Sequence, residues 1–278
     1  MKKRILLTGA TSGIGLEIAK GIVEAGHQLI FTARNESKAN SLKNSLLADH
    51  AGADVSYLLC DFASLTSVKA CAGQFLAQYN HLDVLINNAG VWEMERKESQ
   101  DGIEMNLAVN ALAPFLLTHL LLPALKAVPE GRIINTSSMA HRRNILELND
   151  LEWRNQPYNG VATYSQSKLI NLLHSLQWAK ELAGTQVTVN TVHPGYVQSN
   201  LFNNMGQRDW SQVPPASDGA RSALYAALSP DLAGVSGKYI YHEREDQPTP
   251  MAQDEALAQK VWEISEQYVS SFLLERHI

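Results

Sequence analysis

The sequence predicts an α/β protein: a doubly wound, seven-stranded parallel sheet with helices on both faces. Three observations lead there. Short apolar runs alternate with helical patterns, the first run ends in a glycine-rich turn, and polar residues recur where later runs stop. Repeated strand and helix units imply parallel strands whose crossovers cover both sides of a sheet. At 278 residues and 45% hydrophobic content the chain can bury a large core. With no linker or internal repeat, one domain over 1–278 is expected.

Residues 4–8, Arg-Ile-Leu-Leu-Thr, form the first predicted strand, and Ile14, Leu16, Ile18, Ala19, Ile22 and Val23 set a helical period behind it. Between them, Thr8-Gly9-Ala10-Thr11-Ser12-Gly13-Ile14-Gly15 spaces its glycines as Gly-x3-Gly-x-Gly. Glycine permits a tight turn and close approach of backbone to a pyrophosphate, while a helix N-terminus offers unpaired N–H groups and positive dipole character. Such a turn can be a mere connection. Its place between first strand and helix marks it as a nucleotide site. Gly26 ends the helix, and His27–Thr32 is the second strand, followed by Ala33-Arg34-Asn35. A carboxylate at this point, about 20 residues past the glycines, would grip the ribose 2′-hydroxyl of NAD, whereas arginine accommodates the 2′-phosphate of NADP. Arg34, with no acidic residue until Glu36, predicts NADP(H) in preference to NAD(H).

The alternation continues with a helix over 37–50, a strand over 55–60, a helix over 65–79 and a strand over 82–87. Asp61 and Asn87-Asn88-Ala89-Gly90 follow the third and fourth strands, at the edge where open α/β sheets bind ligands. Residues 102–125 read as a long helix, bent or broken near Pro114. Within it Asn110 is a polar residue among Leu107, Val109, Leu112 and Phe115, and must find partners. It can bridge backbone groups or fix a water. A strand over 132–136 runs into Ser137-Ser138, and a strand over 186–192 ends in His193-Pro194-Gly195. A helix over 216–228, a short strand over 238–241 and an amphipathic helix over 254–274 complete the chain.

Tyr164 opens a helix whose apolar face holds Leu169, Ile170, Leu172, Leu173 and Leu176. Tyr164 and Lys168 are i and i+4, so an ammonium lies beside a phenol on one helical face. A nearby positive charge favours the phenolate and suits a phenol to acid/base work. The same spacing also describes an ordinary solvated face.

Composition narrows the function. There are 23 basic against 28 acidic residues, for a net charge of −5, with no long basic run, so nucleic-acid binding is not expected. Lys2-Lys3-Arg4 precedes an apolar stretch too short for an export signal, and no membrane span is expected. Cys60 and Cys71 lack metal-ligand spacing and disulfide density, and read as reduced thiols of a cytoplasmic protein. His141 and His193 belong to no carboxylate or cysteine pattern, so no metal is expected. The Gly-x-Ser-x-Gly elbow of hydrolases is absent.

Taken together, these motifs resemble the short-chain dehydrogenase/reductase (SDR) family over nearly the whole chain. Thr8 to Gly15 matches its Thr-Gly-x3-Gly-x-Gly, Asn87 to Gly90 its Asn-Asn-Ala-Gly, and Tyr164 to Lys168 its Tyr-x3-Lys. Finer features, including Ala33-Arg34-Asn35, Asp61-Phe62-Ala63-Ser64-Leu65-Thr66 and Ser137-Ser138-Met139-Ala140-His141, are similar to the retinol-dehydrogenase-like branch. The chain departs from that branch at Gln198-Ser199-Asn200, where Arg-Thr-Glu is usual. The resemblance implies a single Rossmann-fold domain with Tyr164, Lys168, Ser138 and Asn110 as catalytic residues. It implies a cofactor held by Gly9, Thr11, Ser12, Gly13, Ile14, Gly15, Arg34, Asp61, Asn87, Ala89, Gly90, Tyr164, Lys168, Pro194, Gly195, Val197 and Ser199. Asp61 would contact adenine and Ser199 the nicotinamide carboxamide. It also allows a homo-oligomer, unless the terminal helix covers the surface used for assembly.

The expected reaction is hydride transfer between NADP(H) and an alcohol or carbonyl. Bulky residues in the loops at 140–162 and 196–215, with Trp92 and Met94, favour a hydrophobic small-molecule substrate. Among them are Trp153, Tyr158, Tyr196, Leu201, Phe202, Met205 and Trp210. The alternatives are a regulatory protein that binds NADPH without catalysis, or an epimerase using the same Tyr-Lys pair.

Overall fold

The computed structural model describes residues 2–199, 201 and 209–273. Among them eight strands form one sheet: β1 Arg4–Leu7, β2 Gln28–Ala33, β3 Val55–Leu59, β4 Val84–Asn87, β5 Gly131–Thr136, β6 Val187–His193, β7 Tyr239–Tyr241 and β8 Arg244–Asp246. The order is β3-β2-β1-β4-β5-β6-β7-β8. The first seven are parallel, as expected. β8 is an addition, paired antiparallel with β7 through a turn at His242 and Glu243, both at positive φ. Its sequence, Arg-Glu-Asp, carries no hydrophobic alternation that could reveal it.

Strand order reverses at β1, which pairs with β2 on one side and β4 on the other. Crossovers leave in opposite directions there, opening a crevice at the carboxyl ends of the strands. Both faces of β1 are buried, Ile5 and Leu7 in one core cluster and Leu6 in the other. Helices α1 (Gly13–Glu24), α2 (Glu36–Asp49) and α7 (Ala216–Leu228) supply Ile18, Ile22, Leu42 and Ala223 to one cluster. Helices α3 (Leu65–Gln78), α5 (Ala113–Lys126), α6 (Gly160–Glu181) and α8 (Glu255–Leu273) supply Phe75, Leu116, Leu173 and Trp262 to the other.

The segment predicted to break near Pro114 does not break there. A helical turn α4 (Met105–Leu107) passes into a π-helical turn, Ala108–Leu112, and then into α5. Pro114 lies in the first turn of α5, where proline is tolerated, and the irregularity sits just before it, around Asn110. Met105–Lys126 is, among the described residues, the one stretch long and apolar enough to cross a membrane. Its apolar window is 78% buried inside the fold, as a core helix. Helix α6 begins at Gly160, a turn earlier than predicted, because Asn159 caps it, accepting from the Val161 and Ala162 amides at 3.1 Å each.

Helix α8 lies across α5 and α6. Trp262 meets Phe115 and Trp178 edge-on at 4.8 and 4.7 Å, and His174 Nε2 hydrogen-bonds Ser265 Oγ at 2.8 Å. Burial, reinforced by nearby His119, pushes His174 down to about 3. Trp262→Ala should cost about 3–5 kcal/mol, read as a lower urea midpoint. A histidine depressed in the folded state is protonated first in the unfolded chain. Stability should therefore fall as pH drops from about 6.5 toward about 3, by up to ~1.4 kcal/mol per pH unit from this group. Urea titrations across that window should show a shallower fall for His174→Gln.

Candidate active site

Tyr164 and Lys168 are 3% and 4% exposed, so their shared face is not a solvated one. Lys168 Nζ stands 5.7 Å from the centroid of the Tyr164 ring and donates to the Thr136 carbonyl at 3.1 Å, at the end of β5. The side chain of Ser138, two residues beyond the strand, lies near the Tyr164 hydroxyl and favours its ionised form. Burial pushes Tyr164 up to about 12, opposed by the Ser138 contact, and burial pushes Lys168 down to about 8. Charge attraction was expected to lower the phenol. Removal from water sets both shifts instead, since each charged form loses hydration.

Asn110 binds backbone. Its Oδ1 accepts from the Val91 amide at 2.8 Å, and its Nδ2 donates to the Val91 carbonyl at 2.9 Å and Ser167 Oγ at 3.0 Å. Both amide hydrogens are thus committed, leaving Oδ1 one acceptor position, and a Cβ on Gly90 would approach both Asn110 Oδ1 and Lys168 Nζ. Ser167 Oγ in turn donates to the Tyr164 carbonyl at 2.7 Å, which links the π turn to α6.

The glycine turn forms the other half of the crevice. Gly9 has φ 71° and Gly13 φ 54°, and a Cβ on Gly9 would lie 2.8 Å from Ala89 Cα. A Cβ on Gly15 would collide with the Gly9 carbonyl. Thr8 Oγ1 accepts from the Asn88 and Ala89 amides at 2.9 Å each, so β1 and β4 clamp the turn between them. Ser12 caps α1 without a side-chain hydrogen bond, and no acidic residue stands in its first turn. Its leading N–H groups therefore face the crevice as anion donors, a close fit for the pyrophosphate of a dinucleotide. Thr11 lies beside them, half-buried. Arg34 is exposed at the end of β2, the strand adjoining β1, and Asn35 caps α2.

The structure separates members of the predicted set. Asn87 turns inward, donating to Asn135 Oδ1 at 2.8 Å and Thr118 Oγ1 at 3.1 Å, and holds β4 to β5 and α5. Its neighbour Asn88, which sequence reasoning left out, reaches the Thr8 and Gly9 carbonyls at 3.0 and 3.3 Å. Nothing in an Asn-Asn pair says which one turns toward the glycines. Asp61 accepts from the Ala63 amide and from Gln100 Nε2. Past β6, Pro194 and Gly195 turn the chain, with Gly195 at φ 86°. Val197 is buried and lies with Ile14 against Gly219, bringing this loop beside the glycine turn, and Ser199 is half-buried.

The bulky residues expected around a substrate differ in burial and partners. Trp153 is 8% exposed, at φ 53°. Tyr158 donates to the buried Glu104 at 2.8 Å and accepts from Asn106. Tyr196 is 51% exposed, and Leu201 and Trp210 are half-buried. Phe202 and Met205 lie outside the described residues. His141 packs on Tyr239 and His193 on Tyr241, with ring centroids 5.2 and 4.8 Å apart.

A family model for short chain dehydrogenases matches residues 3–210. The chain is 39% identical to the chloroplastic short-chain dehydrogenase TIC 32 B of Brassica napus over 285 aligned residues, 96% of this chain and 88% of that protein. It is 38% identical to retinol dehydrogenase 14 of Mus musculus, covering 95% and 85%. Among solved structures, an uncharacterized protein of Mycobacterium paratuberculosis superposes with a TM-score of 0.78 at 30% identity, covering 96% and 93%. A metagenomic short-chain oxidoreductase in complex with NADP gives 0.65 at 27%, covering 86% and 96%.

Lysine labelled with carbon-13 at Cε should show one resonance titrating near pH 8, missing in Lys168→Met.

Proposed function

The chain belongs to the short-chain dehydrogenase family, oxidoreductases acting on CH–OH and C=O groups with a nicotinamide cofactor, and from that premise we propose an NADP(H)-dependent enzyme interconverting a hydrophobic alcohol and its carbonyl. One observation carries the reading. Tyr164, near Ser138 and a helical turn from the equally buried Lys168, lies at the same sheet edge as the glycine turn.

When bound, the nicotinamide supplies or accepts the hydride. As a carbonyl oxygen gains negative charge it needs hydrogen-bond donors and then a proton. Ser138 orients that oxygen. Tyr164, held at about 12, is fully protonated at neutral pH and gives up the proton. Lys168, cationic below about 8, stabilises the phenolate left behind. Asn110 holds a water by its remaining lone pair and so connects Lys168 to solvent. In the reverse direction the phenol must first lose its proton, so alcohol oxidation should gain from alkaline pH.

Gly9 to Gly15 would take the pyrophosphate, Arg34 the 2′-phosphate, Asp61 the adenine side, and Ser199 the carboxamide. The retinol dehydrogenases among the relatives and the half-buried apolar residues of the 196–215 loop support a hydrophobic substrate. Cys60 and Cys71 are both free and buried, which supports a reducing compartment, and we place the protein in the cytoplasm.

Tyr164→Phe should lower turnover by ~100-fold or more while NADPH affinity changes by less than about threefold, measured by NADPH oxidation and fluorescence titration. Substantial residual turnover would refute the assignment. Arg34→Glu should reduce the NADPH-over-NADH preference by about tenfold or more. A wild-type preference for NADH would sink the Arg34 reading. Across a carbonyl panel, decanal should exceed acetone in kcat/KM.

A further inference from the structure

We propose that Trp92 is a positioning residue for Tyr164, a clamp that holds the phenol ring in register with Ser138, rather than a wall of the substrate site. The proposal rests on the general-acid role of Tyr164 given above.

The indole lies flat on the phenol, with ring centroids 4.2 Å apart and planes 9° from parallel. Its Nε1–H donates to the Gly160 carbonyl at 3.0 Å. Gly160 is the first residue of α6 and stands one turn before Tyr164 on the same face. One rigid side chain therefore spans the turn, hydrogen-bonded at one end and stacked at the other. A near-parallel aromatic pair buries a large apolar area in a defined geometry, and a fixed indole N–H sets its angle. With one face against the phenol, the indole excludes water from that side of the ring and contributes to the burial that raises Tyr164.

What aims Trp92 is a pair of asparagines. Val91 is bound through both its N–H and its C=O by Asn110. Glu93 is bound the same way by Asn106, its amide donating to Oδ1 at 2.9 Å and its carbonyl accepting from Nδ2 at 3.1 Å. Each carboxamide presents one donor and one acceptor to the main chain, as a neighbouring strand would. Trp92 sits between two doubly anchored residues. Asn106 and Asn110 are 0% and 1% exposed, so water does not compete for these bonds. Asn106 also donates to Thr163 Oγ1 at 2.9 Å, next to Tyr164. Gly160 admits the segment: a Cβ there would lie 2.5 Å from Met94 Cα and closer still to the Glu93 carbonyl. No such space would remain for alanine.

Three variants test the clamp: Trp92→Leu, which removes the flat ring; Trp92→Phe, which keeps stacking and loses the N–H; and Tyr164→Phe. Carbon-13 tyrosine-labelled protein gives a readout without substrate, the Tyr164 signals being those missing from Tyr164→Phe. Slow ring rotation should give two separate ε resonances in the wild type and in Trp92→Phe, merging into one in Trp92→Leu. In reduction of decanal by NADPH, Trp92→Leu should lower kcat by about tenfold with KM nearly unchanged. The alkaline limb of its pH profile should move to lower pH, as water reaches the phenol. Trp92→Phe should recover most of the rate.

Unchanged ε resonances in Trp92→Leu would overturn the proposal, as would a raised KM with unaltered kcat and pH profile, which is the signature of a pocket wall. An active Tyr164→Phe enzyme condemns the general-acid reading. An inactive one beside a normal Trp92→Leu enzyme condemns the clamp alone.

Discussion

Burying an ionisable pair at the carboxyl edge of a parallel sheet is the constraint on which this molecule is arranged. Tyr164 and Lys168 lose hydration, and neither charge is favoured until a partner is supplied. The protein supplies only partial compensation, a Ser138 contact for the phenol and the Thr136 carbonyl for the ammonium. Sheet, π turn and helix α6 must therefore be placed accurately, since a hydrogen bond missed in such a setting costs about 1–3 kcal/mol. The crevice lies where strand order reverses, so the glycine turn and the Tyr-Lys face open to one space without either being distorted toward the other.

Carboxamides do much of this placing. Asn87 holds β4 to β5, Asn88 holds the glycine turn, Asn110 binds Val91 and Asn106 binds Glu93. Each substitutes for a strand or helix partner where the regular ladders have ended. A side-chain amide carries a donor and an acceptor without a formal charge, so it can be buried at an edge where a carboxylate would demand a counter-ion. The π turn at Ala108–Leu112 belongs to the same device, placing Asn110 against Val91.

The helical layer behind the site is held differently. Helix α8 closes over α5 and α6 through Trp262, Trp178, Phe115 and the neutral His174. This aromatic layer backs the helix that carries Tyr164, so packing far from the crevice still bears on its geometry. In the region following Ser138, Trp153 is buried and Tyr158 is bonded to Glu104, which ties this insert to the helical turn at 105–107.

The α/β class, the seven parallel strands, the glycine turn between strand and helix and the shared Tyr-Lys face were all legible in the chain itself. Hydrophobic period and glycine position are local, and each reports directly on local backbone. Tertiary structure alone decided which way side chains turn. Asn87 and Asn88 are identical letters with opposite tasks, and Trp92 and Trp153 read alike as bulky loop residues although one stacks on Tyr164 and the other is buried away from it at positive φ. The exposed hairpin strand β8 and the π turn were equally hidden, because neither alters the apolar period. Most telling is the phenol itself. Sequence spacing put a lysine beside Tyr164 and implied a lowered pKa, but the balance between hydration and charge is set by burial, which depends on every element that closes over the pair.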